Sequence, residues 1–284
     1  MAISPHFDSP QQVADRLRGT GYVPSPRITG VVHLAERLGK PVLVEGPAGT
    51  GKTQLAKSVA DSCGLRLIRL QCYEGLDEAK ALYEWDYRKQ LLHIARAGAD
   101  GSENELFDER FLLTRPLLEA IRSEEPVVLL VDEVDRLDIE TEALLLEVLS
   151  DYQVSIPELG TLRARSTPLV FLTSNNSREL SEALKRRCLY LHLGYPTVER
   201  ERDIVLARVP GIDTVLADRV GQLVRSLRSL ELRKKPSVAE TLDWARTLVL
   251  LGADDVTGEL LADTLPVLLK NESDIDLALK EFGE

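Results

Sequence analysis

The chain has no long apolar stretch. Its longest runs, such as Pro126–Val131, are far too short to cross a bilayer, which excludes a helical membrane span. Cysteine is scarce. Cys63, Cys72 and Cys188 are odd in number and show no CxxC spacing, which excludes a disulfide framework and argues against a zinc site. Buried thiols in a reducing compartment are the expectation. Basic charge is also in short supply: 35 Lys and Arg face 46 Asp and Glu, for a net charge of −11. Only Lys185-Arg186-Arg187 and Arg233-Lys234-Lys235 cluster, so the footprint that non-specific nucleic-acid binding requires is missing and no nucleic-acid partner is expected. The opening residues, MAISPHFDSP, have neither a basic flank nor an apolar core, so no secretion signal is expected and a cytoplasmic location is. The 284 residues are 44% hydrophobic and 29% charged, a globular composition with length for a domain and a smaller second one.

The most informative stretch is Pro41–Thr53, PVLVEGPAGTGKT. A short apolar run of β-type residues leads into glycine-rich chain. A helical pattern follows, with Leu55, Ala56, Val59 and Ala60 on one side. This is the strand–GxxxxGK[ST]–helix arrangement of a nucleoside-triphosphate site. Gly46, Gly49 and Gly51 let backbone N–H groups turn inward around phosphate oxygens, which a Cβ would obstruct. Pro47, Ala48 and Thr50 complete the loop, and Gln54 follows it. The helix starting near Lys52 offers its positive end, and the Lys52 ammonium is placed to reach the β- and γ-phosphates of ATP. The Thr53 hydroxyl is left for Mg²⁺.

The second chemical stretch is Pro126–Glu133, PVVLLVDE. A fully apolar strand ending in two acids is what a buried parallel strand delivers to a ligand crevice at its carboxyl end. About eighty residues after a phosphate loop, Asp132 is the candidate for holding Mg²⁺ through water and Glu133 for polarising the attacking water.

Between and beyond these stretches the chain reads as alternating helices and strands. Helices are expected at Asp8–Arg18 and Ile28–Leu38, and a strand at Leu65–Cys72. Tyr73–Asp100 is helical in composition, Gly98–Asn104 is a loop, and Phe107–Arg122 resumes a helix. Thr141–Leu149 is helical, Val154–Arg163 is a hairpin with Gly160 in its turn, and Pro168–Asn175 is another buried strand. Ser181–Arg187 forms a helical turn before a last strand at Cys188–Leu193. From Thr197 onward the pattern offers only helices. The domains are therefore drawn as an amino-terminal helical segment at 1–20, an α/β domain at 21–195 and a helical domain at 196–284.

Five strands alternating with helices, followed by a helical lid, resemble the AAA+ ATPases, and the likeness covers nearly the whole chain. Within them the chain looks most like the MoxR branch and its CoxD-like members. The likeness rests on the phosphate loop, LLVDEVDRL at 129–137, the hairpin before FLTSNN, EALKRRC at 182–188 and YEGLDEAKALYEWDYRKQ at 73–90. The resemblance implies a P-loop core with a five-stranded parallel sheet and a small all-helical lid. It makes Asn175 the sensor that positions the attacking water and Arg187 the arginine finger given to the ATP of an adjacent subunit, with Arg186 a close competitor. It implies ATP hydrolysis in a homo-oligomeric ring, a hexamer by preference, and a von Willebrand A partner. The implied work is maturation of a metalloenzyme client such as a carbon monoxide dehydrogenase-like molybdenum hydroxylase. The alternative is a nucleic-acid motor or loader. One departure stands out: residues 236–240 lack the arginine that the family usually carries in the lid, leaving Arg233, Lys234 or Lys235 as substitutes. Tyr73–Gly98 and the Val154–Arg163 hairpin are the candidate partner surfaces, expected to be acidic and to suit a basic patch.

Overall fold

The computed structural model describes residues 6–97 and 106–282. The chain opens with α1 (Pro10–Gly19) and α2 (Pro26–Leu38), then β1 (Val42–Glu45), α3 (Lys52–Cys63) and β2 (Arg66–Gln71). An irregular stretch holds α4 (Glu78–Ala81), β3 (Tyr83–Trp85), α5 (Tyr87–Ala97), β4 (Leu112–Thr114) and α6 (Pro116–Arg122). Regular alternation returns with β5 (Val127–Asp132), α7 (Ile139–Asp151), β6 (Gln153–Ile156), β7 (Gly160–Arg163), β8 (Leu169–Ser174), α8 (Glu182–Arg187) and β9 (Leu189–His192). Five helices close the chain: α9 (Val198–Arg208), α10 (Thr214–Ser229), α11 (Val238–Leu250), α12 (Gly258–Leu268) and α13 (Glu272–Phe282).

Five strands form one sheet in the order β2-β5-β8-β1-β9, with β2·β5, β5·β8 and β8·β1 parallel. Parallel strands with helical crossovers are covered on both faces, which is why β5 is buried at all six positions and reads VVLLVD without alternation. β2 lies at the sheet edge and alternates, burying Ile68 and Leu70 while Arg66, Arg69 and Gln71 stay exposed. The expected fold class is the one observed.

Three local expectations are corrected. The helix expected across Phe107–Arg122 forms only from Pro116. Arg115 precedes a proline and is extended at φ −104°, ψ 171°, so the helix cannot run back through it. The preceding residues instead pair as β4 with β3, antiparallel, with Trp85 opposite Leu112. The helical reading of Tyr73–Asp100 is thus interrupted by β3, and the loop expected at Gly98–Asn104 lies outside the described residues. In the hairpin, Gly160 opens β7 with φ +79° and the tip is Pro157-Glu158-Leu159.

The chain divides into two compact units. One comprises residues 1–13, 26–45 and 59–191. The other comprises 14–25, 46–58 and 192–284, so the phosphate loop is grouped with the C-terminal helices. The second unit has its own core around Trp244, whose indole N–H donates to the buried Thr264 hydroxyl at 2.8 Å. A buried ion pair crosses it. The Arg228 guanidinium on α10 donates two bonds to Glu201 on α9, and its Nε donates to the Pro236 carbonyl at 2.8 Å. Glu201 also accepts from the Thr241 hydroxyl on α11 at 2.8 Å. Removing one partner of such a pair costs about 3–5 kcal/mol, because a charge is left buried. The pair therefore pins the start of α11.

Candidate functional site

The loop after β1 is shaped by two close approaches. A Cβ on Gly46 would stand 2.0 Å from the Leu193 carbonyl oxygen, and one on Gly49 would stand 2.5 Å from the Ser237 side chain. Gly49 also adopts φ +71°, where an L side chain is strained. Its carbonyl accepts from the Ala239 N–H at 3.3 Å, so the first turn of α11 rests on the loop. That turn is fixed by a capping box: Ser237 accepts from the Glu240 N–H and Glu240 accepts from the Ser237 N–H. We predict that Gly49→Ala lowers stability by about 1–3 kcal/mol, from strain plus displacement of Ser237, which thermal unfolding will report as a lower Tm.

Lys52 is buried and its ammonium donates to the Gly46 and Pro47 carbonyls, each at 2.7 Å. The Thr50 hydroxyl donates to the Pro47 carbonyl at 2.9 Å. The loop thus curls around its lysine. The Tyr22 ring stands beside it, 3.9 Å from where a Gly51 Cβ would be. Burial pushes the Tyr22 phenol up to about 12, against the opposing pull of Arg200.

The sheet positions the acidic residues. Gln71 pairs with Asp132, and Thr173 pairs with Val44, with Val131 facing Leu172 between them. Register therefore sets Gln71, Asp132, Thr173 and Val44 in one row on one face. Asp132 is buried; its Oδ1 accepts from the Thr173 hydroxyl at 2.5 Å and its Oδ2 from Arg69 at 2.6 and 3.1 Å. The same Thr173 oxygen accepts from the Glu133 N–H at 2.9 Å. Glu133 itself turns out of the strand at φ 58°, ψ 49°, the left-handed region, and its carboxylate meets Arg136 at 2.8 Å. A non-glycine residue held there costs about 1–3 kcal/mol, and such strain gathers at functional positions.

Asp135 links the two strand ends. Its Oδ2 accepts from the Ser177 hydroxyl at 2.6 Å, the Ser177 N–H at 2.9 Å and the Asn175 N–H at 3.2 Å. Burial opposes its charge, but the bonds from Ser177 and Asn175 prevail and hold its pKa below the usual carboxylate range. The nearby Cys72 thiol is pushed up to about 12, first by burial and then by Asp132, Asp135 and Glu133. It stays protonated and is no nucleophile. Cys72 is buried as expected, whereas Cys63 and Cys188 are only half-buried.

Asp132, Glu133 and Asn175 are thus gathered at the ends of two adjacent strands. Arg187 stands apart from them on the last turn of α8, exposed, donating to the Ala183 carbonyl at 3.0 Å and to the Ser150 hydroxyl. Arg186 is also exposed. Of the lid substitutes, Arg233 and Lys234 donate backbone N–H groups to Asp274, and the Lys234 ammonium pairs with Glu240 at 3.2 Å. Sequence reasoning overlooked Arg69, Thr173, Asp135 and Ser237. Asp135 was readable as the third acid of VDEVD, and Ser237 as the start of an S-x-x-E capping box.

Residues 42–193 match the family model described as the ATPase family associated with various cellular activities, AAA. The chain belongs to the AAA family. It is 28% identical to the denitrification regulatory protein NirQ of Pseudomonas aeruginosa over 233 residues, 79% of this chain and 82% of NirQ. It is 28% identical to the gas vesicle ATPase GvpN of Ancylobacter aquaticus over 232 residues, 76% of this chain and 62% of GvpN. Among solved structures, a RuvB mutant of Thermotoga maritima superposes with a TM-score of 0.50 at 20% identity, covering 89% of this chain and 69% of RuvB, a likeness of fold alone. Family membership brings nucleotide binding with it. Magnesium suits the Asp132 carboxylate, a hard oxygen donor of the kind preferred by a cation that keeps waters and phosphate oxygens around it. Among the described residues no three His, Cys, Asp or Glu are grouped to hold a metal by themselves. Among those residues, too, no helix is long and apolar enough to cross a membrane.

Proposed function

We propose that this AAA protein is an ATP-hydrolysing, chaperone-like remodeller of the MoxR branch and CoxD-like type. It works as a ring, a hexamer by preference, with a von Willebrand A partner to mature a metalloenzyme such as a molybdenum hydroxylase. The domains are an N-terminal segment at 1–20, a nucleotide-binding domain at 21–195 and a lid at 196–284. Loop residues 46–51 and Gln54 wrap the nucleotide, Lys52 neutralises its β- and γ-phosphates, and Thr53 and Asp132 hold Mg²⁺. When bound, Mg²⁺ offsets the charge that builds on the transferring phosphoryl group. Glu133 orients and polarises the attacking water, Asn175 positions it, and Arg187 of an adjacent subunit stabilises the charge. The lid reads the nucleotide through the start of α11, which rests on Gly49, in place of an arginine.

The observation that carries the remodelling reading is α5. Its sequence, YRKQLLHIARA, has no acid, and it exposes Tyr87, Leu91, Leu92 and Ile94 beside Arg88 and Lys89. This corrects the expected acidic surface: the exposed acids Glu74, Asp77 and Glu78 precede β3, while α5 is apolar and basic. Such a face suits a partner whose apolar groove has an acidic rim. NirQ and GvpN, named for denitrification and gas vesicles, support service to another assembly over a DNA motor. A pull-down from the native host in ATP, with Glu133→Gln as a trap, tests this. A von Willebrand A protein should be captured, and lost in Leu91→Asp while nucleotide binding persists. Recovery of DNA or a nuclease subunit in its place contradicts the reading.

A further inference from the structure

Asp132 is a fixed acceptor facing a movable donor. Its side chain is 3% exposed and its Oδ1 is fastened by Thr173, whereas the Arg69 side chain that bonds Oδ2 is 45% exposed. Arg69 sits one pleat below Gln71 on the edge strand β2, and Gln71 is the register partner of Asp132, so Arg69 reaches the carboxylate diagonally. Its Nη2 also donates to the Gln71 amide oxygen, which gives the guanidinium a second acceptor close by. A buried carboxylate needs a compensating cation, and here one is supplied from the protein's own surface.

We propose that Arg69 is an internal stand-in for the metal. Without magnesium its guanidinium occupies Oδ2 of Asp132 and holds the carboxylate in place. When magnesium–nucleotide binds, Arg69 yields and rests on Gln71, because two cations at one buried carboxylate repel each other. Magnesium affinity is therefore set by an exchange and is weaker than Asp132 alone would give. This rests on the reading of Asp132 as a magnesium residue.

The test is binding of a fluorescent ADP analogue at stepped magnesium concentrations, together with melting temperature in EDTA. Arg69→Gln should lower the magnesium midpoint about tenfold, as removal of a neighbouring charge shifts a carboxylate's cation affinity by an order of magnitude. It should also lower the melting temperature in EDTA, with the deficit closing once magnesium and nucleotide are added. Arg69→Lys, which keeps a charge but not the two-pronged contact, should fall between and serves if Arg69→Gln does not fold. An unchanged or higher midpoint in the folded variant overturns the proposal and leaves Arg69 as a brace for Asp132. Asp132→Asn separates the two ideas. If Asp132→Asn shifts the midpoint and Arg69→Gln does not, only the exchange fails. If Asp132→Asn shifts nothing, the magnesium reading of Asp132 fails and the exchange falls with it.

Discussion

Glu133→Gln should bind ATP as the wild type does and release phosphate at least about 10²-fold more slowly. A general base contributes about 10²–10⁴-fold, and a carboxamide of the same shape cannot take up the water's proton. The fold has little reason to respond. The bond that seats this residue runs from its backbone N–H to Thr173, and the half-exposed pair with Arg136 at 2.8 Å is worth under about 1 kcal/mol. Lys52→Ala should behave differently. It removes the ammonium that would meet the phosphates and leaves the Gly46 and Pro47 carbonyls without their donor, so ATP binding itself should disappear. Equilibrium binding and phosphate release, measured on both variants, separate the two roles. Equal loss of binding in both would sink the assignments.

Arg187→Ala should cost about 10³-fold in turnover with nucleotide binding unchanged, the scale of an arginine finger. The side chain is exposed and its bonds go to Ser150 and the Ala183 carbonyl, so its removal should leave the fold intact. If the finger acts in trans, turnover also depends on protein concentration. Mixing Arg187→Ala with Lys52→Ala subunits should then recover activity, at interfaces pairing an intact loop with an intact finger. No recovery in verified mixed oligomers, or full turnover in a strict monomer, would refute the trans assignment. Arg186→Ala is the matched control, expected to retain most activity.

What the sequence made legible was whatever depends on local chemistry. The loop Gly46–Thr53 declares itself because phosphate binding demands glycine, lysine and a hydroxyl at fixed spacing. β5 is legible because burial on both faces removes alternation, and the lid helices because their caps and apolar stripes repeat. What failed depended on residues far apart in the chain. Leu112–Thr114 carries helix-compatible residues and becomes strand only because β3 is there to pair with, while Pro116 blocks the helix from extending backward. Arg69 drew no notice in the sequence; its contact with Asp132 spans 63 residues and follows from β2·β5 register. Ser237 was read through the arginine missing beside it, and only folding brings it onto Gly49.

Phosphate release from ATP by the purified chain is the most direct test of the account. With magnesium present, release should saturate with ATP, rise more than linearly with protein concentration, and vanish in Lys52→Ala. A folded wild-type protein that releases no phosphate at any concentration, or releases it equally well in Lys52→Ala, would contradict the account at its centre.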